Sequence, residues 1–344
     1  MQLTFGMFDH IDLGHRTVQQ VYEHRFRMAE RIDQAGFYAF HVAEHHGTTL
    51  SCSPSPNLFL AAVSQRTKRL KLAPLVYILP MYNPQRLIEE ICMLDHMSGG
   101  RLEMGVGKGI APFEHTIWGI NPLEALDRYK ETLEIVLQGL TQPKLTYKGD
   151  YHRYIDVPMV MRPLQQPHPP LWYGVWLDPK ATIWPAQMGC NIATIISSKG
   201  VRPLTDRFRE EWAKAQGARP LPHMSLNRTV IIGKTDAEAK AIAARAHKNY
   251  QHALGYLWHI FGATPAHFPT DFEEVLEKEM IICGSASKVR DEVAKQCETS
   301  GTNYLLARFA YGDMTDAEVE YSLDQFIEKV MPAFTTPAKQ AAIA

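Results

Sequence analysis

Short apolar runs alternate along the chain with amphipathic stretches of helical period, regularly enough for the elements to be counted. Residues 2 to 8 read as a strand, 18 to 35 as a helix stopped by Gly36, and 38 to 43 as a second strand. A helix over 56 to 66 leads to a strand over 70 to 79. Asn83 and Pro84 then give a cap and a first-turn proline to a helix whose Leu87, Ile91, Leu94 and Met97 recur at helical spacing. Gly99 and Gly100 stop that helix before a fourth strand at 101 to 106. Further strands are expected from about residue 171, then over 191 to 197, 224 to 232 and 304 to 309, with helices at 124 to 140 and 202 to 216 and one ended by Gly301. Thr235 with Glu238, and Thr315 with Glu318, have capping-box spacing and open two more helices. The first runs to about Tyr256, and the second places Val319, Leu323, Phe326 and Val330 to close the structure.

Two segments break the rhythm. Residues 141 to 169 read as an extended excursion rich in turns and prolines. Residues 258 to 283, with Trp258, Phe261, Pro265, Phe268 and Pro269, lack sustained periodicity and suit a loop or lid after strand seven. Eight strands alternating with helices argue for an α/β chain closed into a (β/α)8 TIM barrel rather than an open doubly wound sheet. No internal repeat, low-complexity tract or linker interrupts the count, so a single domain over 1 to 344 is expected.

Composition narrows the function classes. The 344 residues are 45% hydrophobic and 21% charged, and 36 Lys and Arg against 37 Asp and Glu give a formal net charge of -1. Such a balance offers no basic excess for nucleic acid or an anionic membrane. The first residues enter a strand without the regions of a signal peptide, and no apolar stretch suits a bilayer span, so a cytoplasmic protein is expected. Cys52, Cys92, Cys190, Cys283 and Cys297 are scattered without Cys-x-x-Cys spacing and read as reduced structural thiols. Fifteen histidines are present, but no His-Glu-x-x-His helix or paired ligand run, and no metal is expected.

In a barrel, chemistry gathers at the C-terminal ends of the strands. Strand one ends at Phe8-Asp9-His10 and strand two at Glu44-His45-His46, where a buried-strand pattern stops at a carboxylate and two adjacent imidazoles. Taken alone, that pair also reads as one core and one surface histidine. Strand three ends near Tyr77-Ile78-Leu79-Pro80, and strand four at Gly105-Val106-Gly107-Lys108-Gly109. The glycines let backbone approach a bound group, and Lys108 could hold a phosphate as a point charge. The run matches neither a Walker loop nor the dinucleotide fingerprint, so a plain strand-to-loop turn fits it equally well.

Taken together, these strand ends resemble the bacterial luciferase-like family of flavin-dependent monooxygenases, which also includes the alkanesulfonate monooxygenases, from residue 4 to about 334. The resemblance is carried by Phe5-Gly6-Met7-Phe8, Glu44-His45-His46, Leu79-Pro80 with Asn83-Pro84 and Arg86, and Leu94-Asp95-His96-Met97-Ser98-Gly99-Gly100-Arg101. Gly105-Val106-Gly107-Lys108-Gly109 and Val330-Met331-Pro332 complete it. It implies a (β/α)8 barrel that binds reduced FMN, or in some branches a deazaflavin, at the C-terminal mouth, with a mobile lid after strand seven and a homodimeric assembly.

By position, the resemblance makes His45 the catalytic histidine, supported by Glu44 and His46. It places Leu75-Val76 where the family has a cis non-prolyl peptide behind the isoalloxazine, Lys108 against the flavin phosphate, and Gly107 near the reactive ring carbon, where a glycine leaves room for substrate. After strand five the family offers Ser or Thr hydroxyls and helix amides to the phosphate. Here the chain departs, with Gly174-Val175-Trp176-Leu177-Asp178-Pro179-Lys180-Ala181-Thr182. Thr182 and the amides of Lys180 and Ala181 are the candidates, with Asp178 as helix cap. Trp176 is assigned to the same cofactor-facing group and could also border the substrate, beside His10, Tyr77, Met81 and Tyr82. Trp118, Trp172 and Trp184 read as core.

The implied reaction is oxygenation of a small organic substrate by a peroxyflavin. The peroxyflavin would form from dioxygen and reduced FMN (FMNH2) supplied by a separate NAD(P)H-dependent flavin reductase, with His45 exchanging protons near neutral pH. A deazaflavin-dependent hydride-transferring oxidoreductase and a non-catalytic flavin-binding protein are the alternatives.

Overall fold

A computed structural model of the protein describes residues 1–263 and 269–335; Pro265 and Phe268, read above as part of a loop or lid, lie outside the described residues. Twelve strands are present among them: β1 Thr4–Asp9, β2 Ala39–Val42, β3 Lys71–Pro74, β4 Tyr77–Ile78, β5 Met104–Gly107, β6 Lys144–Lys148, β7 Arg153–Pro158, β8 Leu171–Gly174, β9 Asn191–Thr194, β10 Met224–Ile232, β11 Ile281–Gly284 and β12 Tyr304–Arg308.

β3 and β4 are two halves of one course, separated at Leu75–Val76, whose peptide bond is cis. Counted so, eight parallel courses run β1, β2, β3/β4, β5, β8, β9, β10, β12, and β12 pairs with β1. The ring closes between β3 and β5, where the Leu72 N–H donates to Arg101 O and the Glu103 N–H to Leu72 O, both at 2.9 Å. Each expected strand falls on one of these courses. They are buried on both faces, which is why they read as apolar runs rather than as alternation.

The helices obey their caps. Thr17 and Gln20 form a reciprocal capping box for Val18–Ala35, which ends at Gly36 with φ 83°. Asn83 accepts from the Arg86 N–H at the start of Pro84–Met97, and Thr315 and Glu318 form the second full box.

The two irregular segments hold more structure than their sequence suggested. The 141 to 169 excursion contains the antiparallel hairpin β6/β7. Its turn is held by the Glu131 carboxylate, which accepts the N–H groups of Asp150, Tyr151 and His152. Within 258 to 283, helices Tyr256–Ile260 and Phe272–Glu277 and the strand β11 form, the last pairing with the far half of β10 outside the ring. These elements are four to six residues long, too short for a period to emerge.

The foot of the barrel is filled. The Tyr304 ring lies over Gly6, where an added Cβ would stand 1.9 Å from its Oη, so only glycine fits. His41 Nε2 is 3.0 Å from Tyr304 Oη, and the Trp172 indole packs edge-on against the His41 ring. Glu103 accepts from the Tyr38 hydroxyl and from Trp172 Nε1. Burial pulls the His41 pKa down to about 3, so this imidazole is neutral.

Candidate active site

At the C-terminal ends of the courses the barrel opens into a cavity of about 450 Å³, a size suited to a cofactor or small ligand. Its walls are mainly apolar side chains and backbone. Of the residues singled out from the sequence, His10, Glu44, His45, Leu75, Val76, Gly107, Lys108 and Trp176 line it. His46, Tyr77, Met81, Tyr82, Lys180, Ala181 and Thr182 do not.

His45 follows directly from the end of β2. Its Nδ1 lies 2.9 Å from Glu114 Oε1, and because a carboxylate can only accept, Nδ1 carries the proton. The same oxygen accepts the backbone N–H of His46 at 3.0 Å, while Glu114 Oε2 is buried with no partner among the described residues. Burial alone would depress the His45 pKa. The negative charges of Glu114, Glu44 and Asp12 outweigh it, and the value stands above that of a free imidazole.

His10, on the loop after β1, is the opposite case. Arg308 Nη1 donates to its Nδ1 at 2.9 Å, and a guanidinium has only donors, so His10 is neutral with its proton on Nε2. Burial, then the charges of Arg308 and His45, hold its pKa well below the usual value.

Glu44 ties strand ends together. Oε1 accepts from His46 Nε2 at 2.9 Å, and Oε2 accepts from the Ile78 N–H at 3.1 Å and the Tyr82 hydroxyl at 2.8 Å. The course leaves β4 through the turn Leu79–Met81, which brings Tyr82 behind Glu44 instead of into the cavity. Tyr77 is fully buried with its hydroxyl on Asn57 Oδ1. Tyr77 and Tyr82, expected at the substrate side, therefore stand in the layer behind it, and Met81 on that turn is also off the lining.

The glycines after strand four serve packing. A Cβ on Gly107 would lie 2.5 Å from Val76 Cγ2, and one on Gly105 would lie 2.2 Å from Pro74 O. A side chain at Gly107 would therefore meet Val76, and with glycine there both residues line the cavity. Lys108 is exposed at the rim, and its ammonium makes no hydrogen bond or ion pair among the described residues.

Past β8, the donors expected for a phosphate are used inside the turn Pro179–Thr182. The Lys180 N–H donates to Asp178 Oδ1 at 2.9 Å, the Ala181 N–H to Asp178 O at 3.0 Å, and Thr182 Oγ1 to Pro179 O at 2.6 Å. Asp178 is the cap it was read to be. Trp172 is core, but Trp118 is 51% exposed, with its ring edge-on to that of His46.

Glu114, Asp12, Asn227 and Arg308 were not singled out from the sequence. Glu114 meets His45 across 69 positions, which no local spacing reveals. Arg308 did leave a signal, as the lone charge within the apolar strand 304 to 309.

A family model described as luciferase-like monooxygenase matches residues 3–304. An uncharacterized protein of Sinorhizobium fredii is 39% identical, covering 91% of this chain and 92% of its own. The oxygenase component of the flavin-dependent trigonelline monooxygenase of Acinetobacter baylyi is 26% identical over 97% of this chain and 96% of its own. Among solved structures, the oxygenating constituent of 3,6-diketocamphane monooxygenase of Pseudomonas putida, in complex with FMN, shares the fold with a TM-score of 0.76 at 21% identity, covering 98% of this chain and all of that one. With the barrel, its mouth and this match extending over most of its length, the chain belongs to the luciferase-like monooxygenase family.

Proposed function

We propose that the protein is the oxygenase component of a two-component FMN-dependent monooxygenase. In this reading a separate NAD(P)H-dependent flavin reductase supplies reduced FMN, and the oxygenase works as a homodimer on a small organic substrate. The observation that carries it is the polarised histidine His45, with Nδ1 held by Glu114, on the wall of an otherwise apolar cavity.

The residues present suit a flavin. The cavity is large enough and mostly apolar, Leu75, Val76 and Gly107 offer backbone and a methyl-lined wall, Trp176 adds an aromatic face, and the ammonium of Lys108 waits at the rim for a phosphate. Two relatives named as an oxygenase component and an oxygenating constituent, the second holding FMN, lend it support. When bound, reduced FMN supplies the electrons that activate dioxygen for transfer of one oxygen atom.

The chain's own part is binding, exclusion of water and proton control. Apolar walls keep water from the reacting atoms. Glu114 fixes the His45 tautomer and favours its charged form, so His45 Nε2 can donate a proton, while neutral His10 beside it does not compete. Glu44, bonded to His46, Ile78 and Tyr82, keeps the end of β2 in register with β4.

The test is anaerobic titration with FMN, reduced FMN and a reduced deazaflavin, followed by admission of oxygen. Preference for reduced FMN with oxygen uptake that falls at least tenfold in His45→Ala, at unchanged flavin affinity, is the expected result. Preference for the deazaflavin without oxygen uptake would replace this reading by hydride transfer, and flavin binding without turnover by a non-catalytic role.

A further inference from the structure

Across the ring from Lys108 stands a second cation that the flavin reading does not use. Lys108 follows β5 and Arg308 ends β12, four courses apart in a ring of eight, so the two lie on opposite walls. Arg308 is 9% exposed. Its Nε and Nη2 both donate to Thr229 Oγ1, at 3.0 and 2.6 Å, and Nη1 donates to His10 Nδ1. The Tyr250 and Tyr311 rings lie 4.5 and 4.4 Å from its guanidinium carbon. All of these partners are neutral. No carboxylate lies within ion-pair distance of Arg308 among the described residues, and Asp12 turns one oxygen to the Gly312 N–H and leaves the other without a partner.

Burial disfavours this cation, and Tyr250, Tyr311 and the Asp12 carboxyl favour it through space; no carboxylate among the described residues is bonded to it, so the guanidinium is held in place and open to an anionic partner. The surroundings suit one. Arg308 and Thr229 border a recess of about 40 Å³, room for a few waters or one carboxylate but not for a ring. Asn227 and Tyr250 line both the recess and the main cavity, so the two adjoin. The Asn227 side-chain amide makes no hydrogen bond among the described residues, which leaves it able to donate to a second anionic oxygen.

We propose that the substrate carries a carboxylate, seated in this recess between the guanidinium of Arg308 and the amide of Asn227. Three of the five N–H groups of Arg308 go to Thr229 and His10, and the second N–H on Nη1 and on Nη2 remains to pair with a carboxylate. With its acid group there, the substrate body extends into the main cavity beside His10 and His45, the side on which proton transfer is proposed. The inference rests on the monooxygenase reading for the word substrate, but the anion site itself can be tested apart from it.

Thermal unfolding of the full chain would be followed with 10 mM acetate, butyrate, hexanoate, benzoate or nicotinate, each against its primary amide at matched ionic strength, and reduced-FMN affinity would be measured in parallel. At least one acid should raise the melting temperature of the wild type by 2 °C or more while its amide does not. That shift should vanish in Arg308→Gln and fall by half or more in Arg308→Lys and Asn227→Ala, with reduced-FMN affinity of the two Arg308 variants, whose side chain is off the main cavity, within twofold of wild type. No shift with any acid, or equal shifts in wild type and the two milder variants, would overturn the site. Normal reduced-FMN binding without acid binding removes this site and leaves the monooxygenase reading standing. An Arg308-dependent acid shift without flavin binding does the reverse.

Discussion

His10 and His45 stack at the barrel mouth with ring centroids 5.5 Å apart and 28° between planes, and their surroundings push their pKa values in opposite directions. His10 takes a hydrogen bond from Arg308 on Nδ1 and so stays neutral; His45 gives one from Nδ1 to Glu114 and is favoured as the cation. Neighbouring groups whose pKa values are driven apart mark an acid and its neutral companion. The pair therefore presents one proton donor.

Glu114→Gln removes the charge that sustains the His45 cation but keeps an oxygen for the His46 N–H. The His45 pKa should fall, moving the corresponding limb of the pH–rate profile to lower pH. A histidine with a folded pKa above its unfolded one adds stability that is complete below the unfolded value, near 6.5, and lost as pH rises through the folded value. The variant should then cost about 1–3 kcal/mol at pH 6 and less at pH 9 in urea unfolding. An equal loss at both would show that the ion pair is not the cause.

Asp12 responds to pH in a different window. Burial raises its pKa from 3.8 to about 7, so the native state holds this proton more tightly than the unfolded chain does. That contribution is full below pH 3.8 and lost as pH climbs through 7. Asn, whose oxygen can still accept from Gly312, escapes the loss. Asp12→Asn should gain melting temperature on the wild type between pH 5 and pH 8, by about 1–2 °C for each kcal/mol recovered in a chain of 344 residues; a gap that stays constant contradicts it.

Gly107→Ala drives a methyl into Val76 and should cost about 1–3 kcal/mol. Val76→Ala in the same chain makes the space again. Chemical denaturation of both single variants and the double should give a double variant more stable than the sum of the single losses predicts.

Glu44→Ala leaves His46 Nε2, the Ile78 N–H and the Tyr82 hydroxyl without their acceptor, for a loss of about 3–5 kcal/mol. Tyr82→Phe removes one donor from a carboxylate with two others and should cost about 1 kcal/mol. Comparable losses from the two substitutions would contradict the view of Glu44 as the hub.

The eight courses could be read from the sequence because burial on both faces writes itself as apolar runs, and the helix ends because Gly36, Asn83, Thr235 and Thr315 are chemically suited to caps. Glu44, His45 and Lys108 stood out as polar groups where an apolar strand stops. The His45 to Glu114 contact could not be read, since it joins β2 to the short helix Pro112–Ile117 through space alone. That Tyr77 and Tyr82 stand behind the cavity wall was not legible, because within β4 it is Ile78 that faces the cavity and a short turn then carries Tyr82 behind Glu44, and the approach of Val76 to Gly107 was not, because it joins two courses.

The packed foot of the barrel, with Tyr304 over Gly6 and Trp172 against His41, makes the mouth a cul-de-sac along the barrel axis. Traffic there obeys the rule of a narrow alley: whatever arrives last blocks what came before and has to back out first. Under the proposed function, a flavin held against Leu75 and Val76 would be exchanged only after the product had cleared the doorway, and departure of product would set the earliest moment at which the next cycle begins.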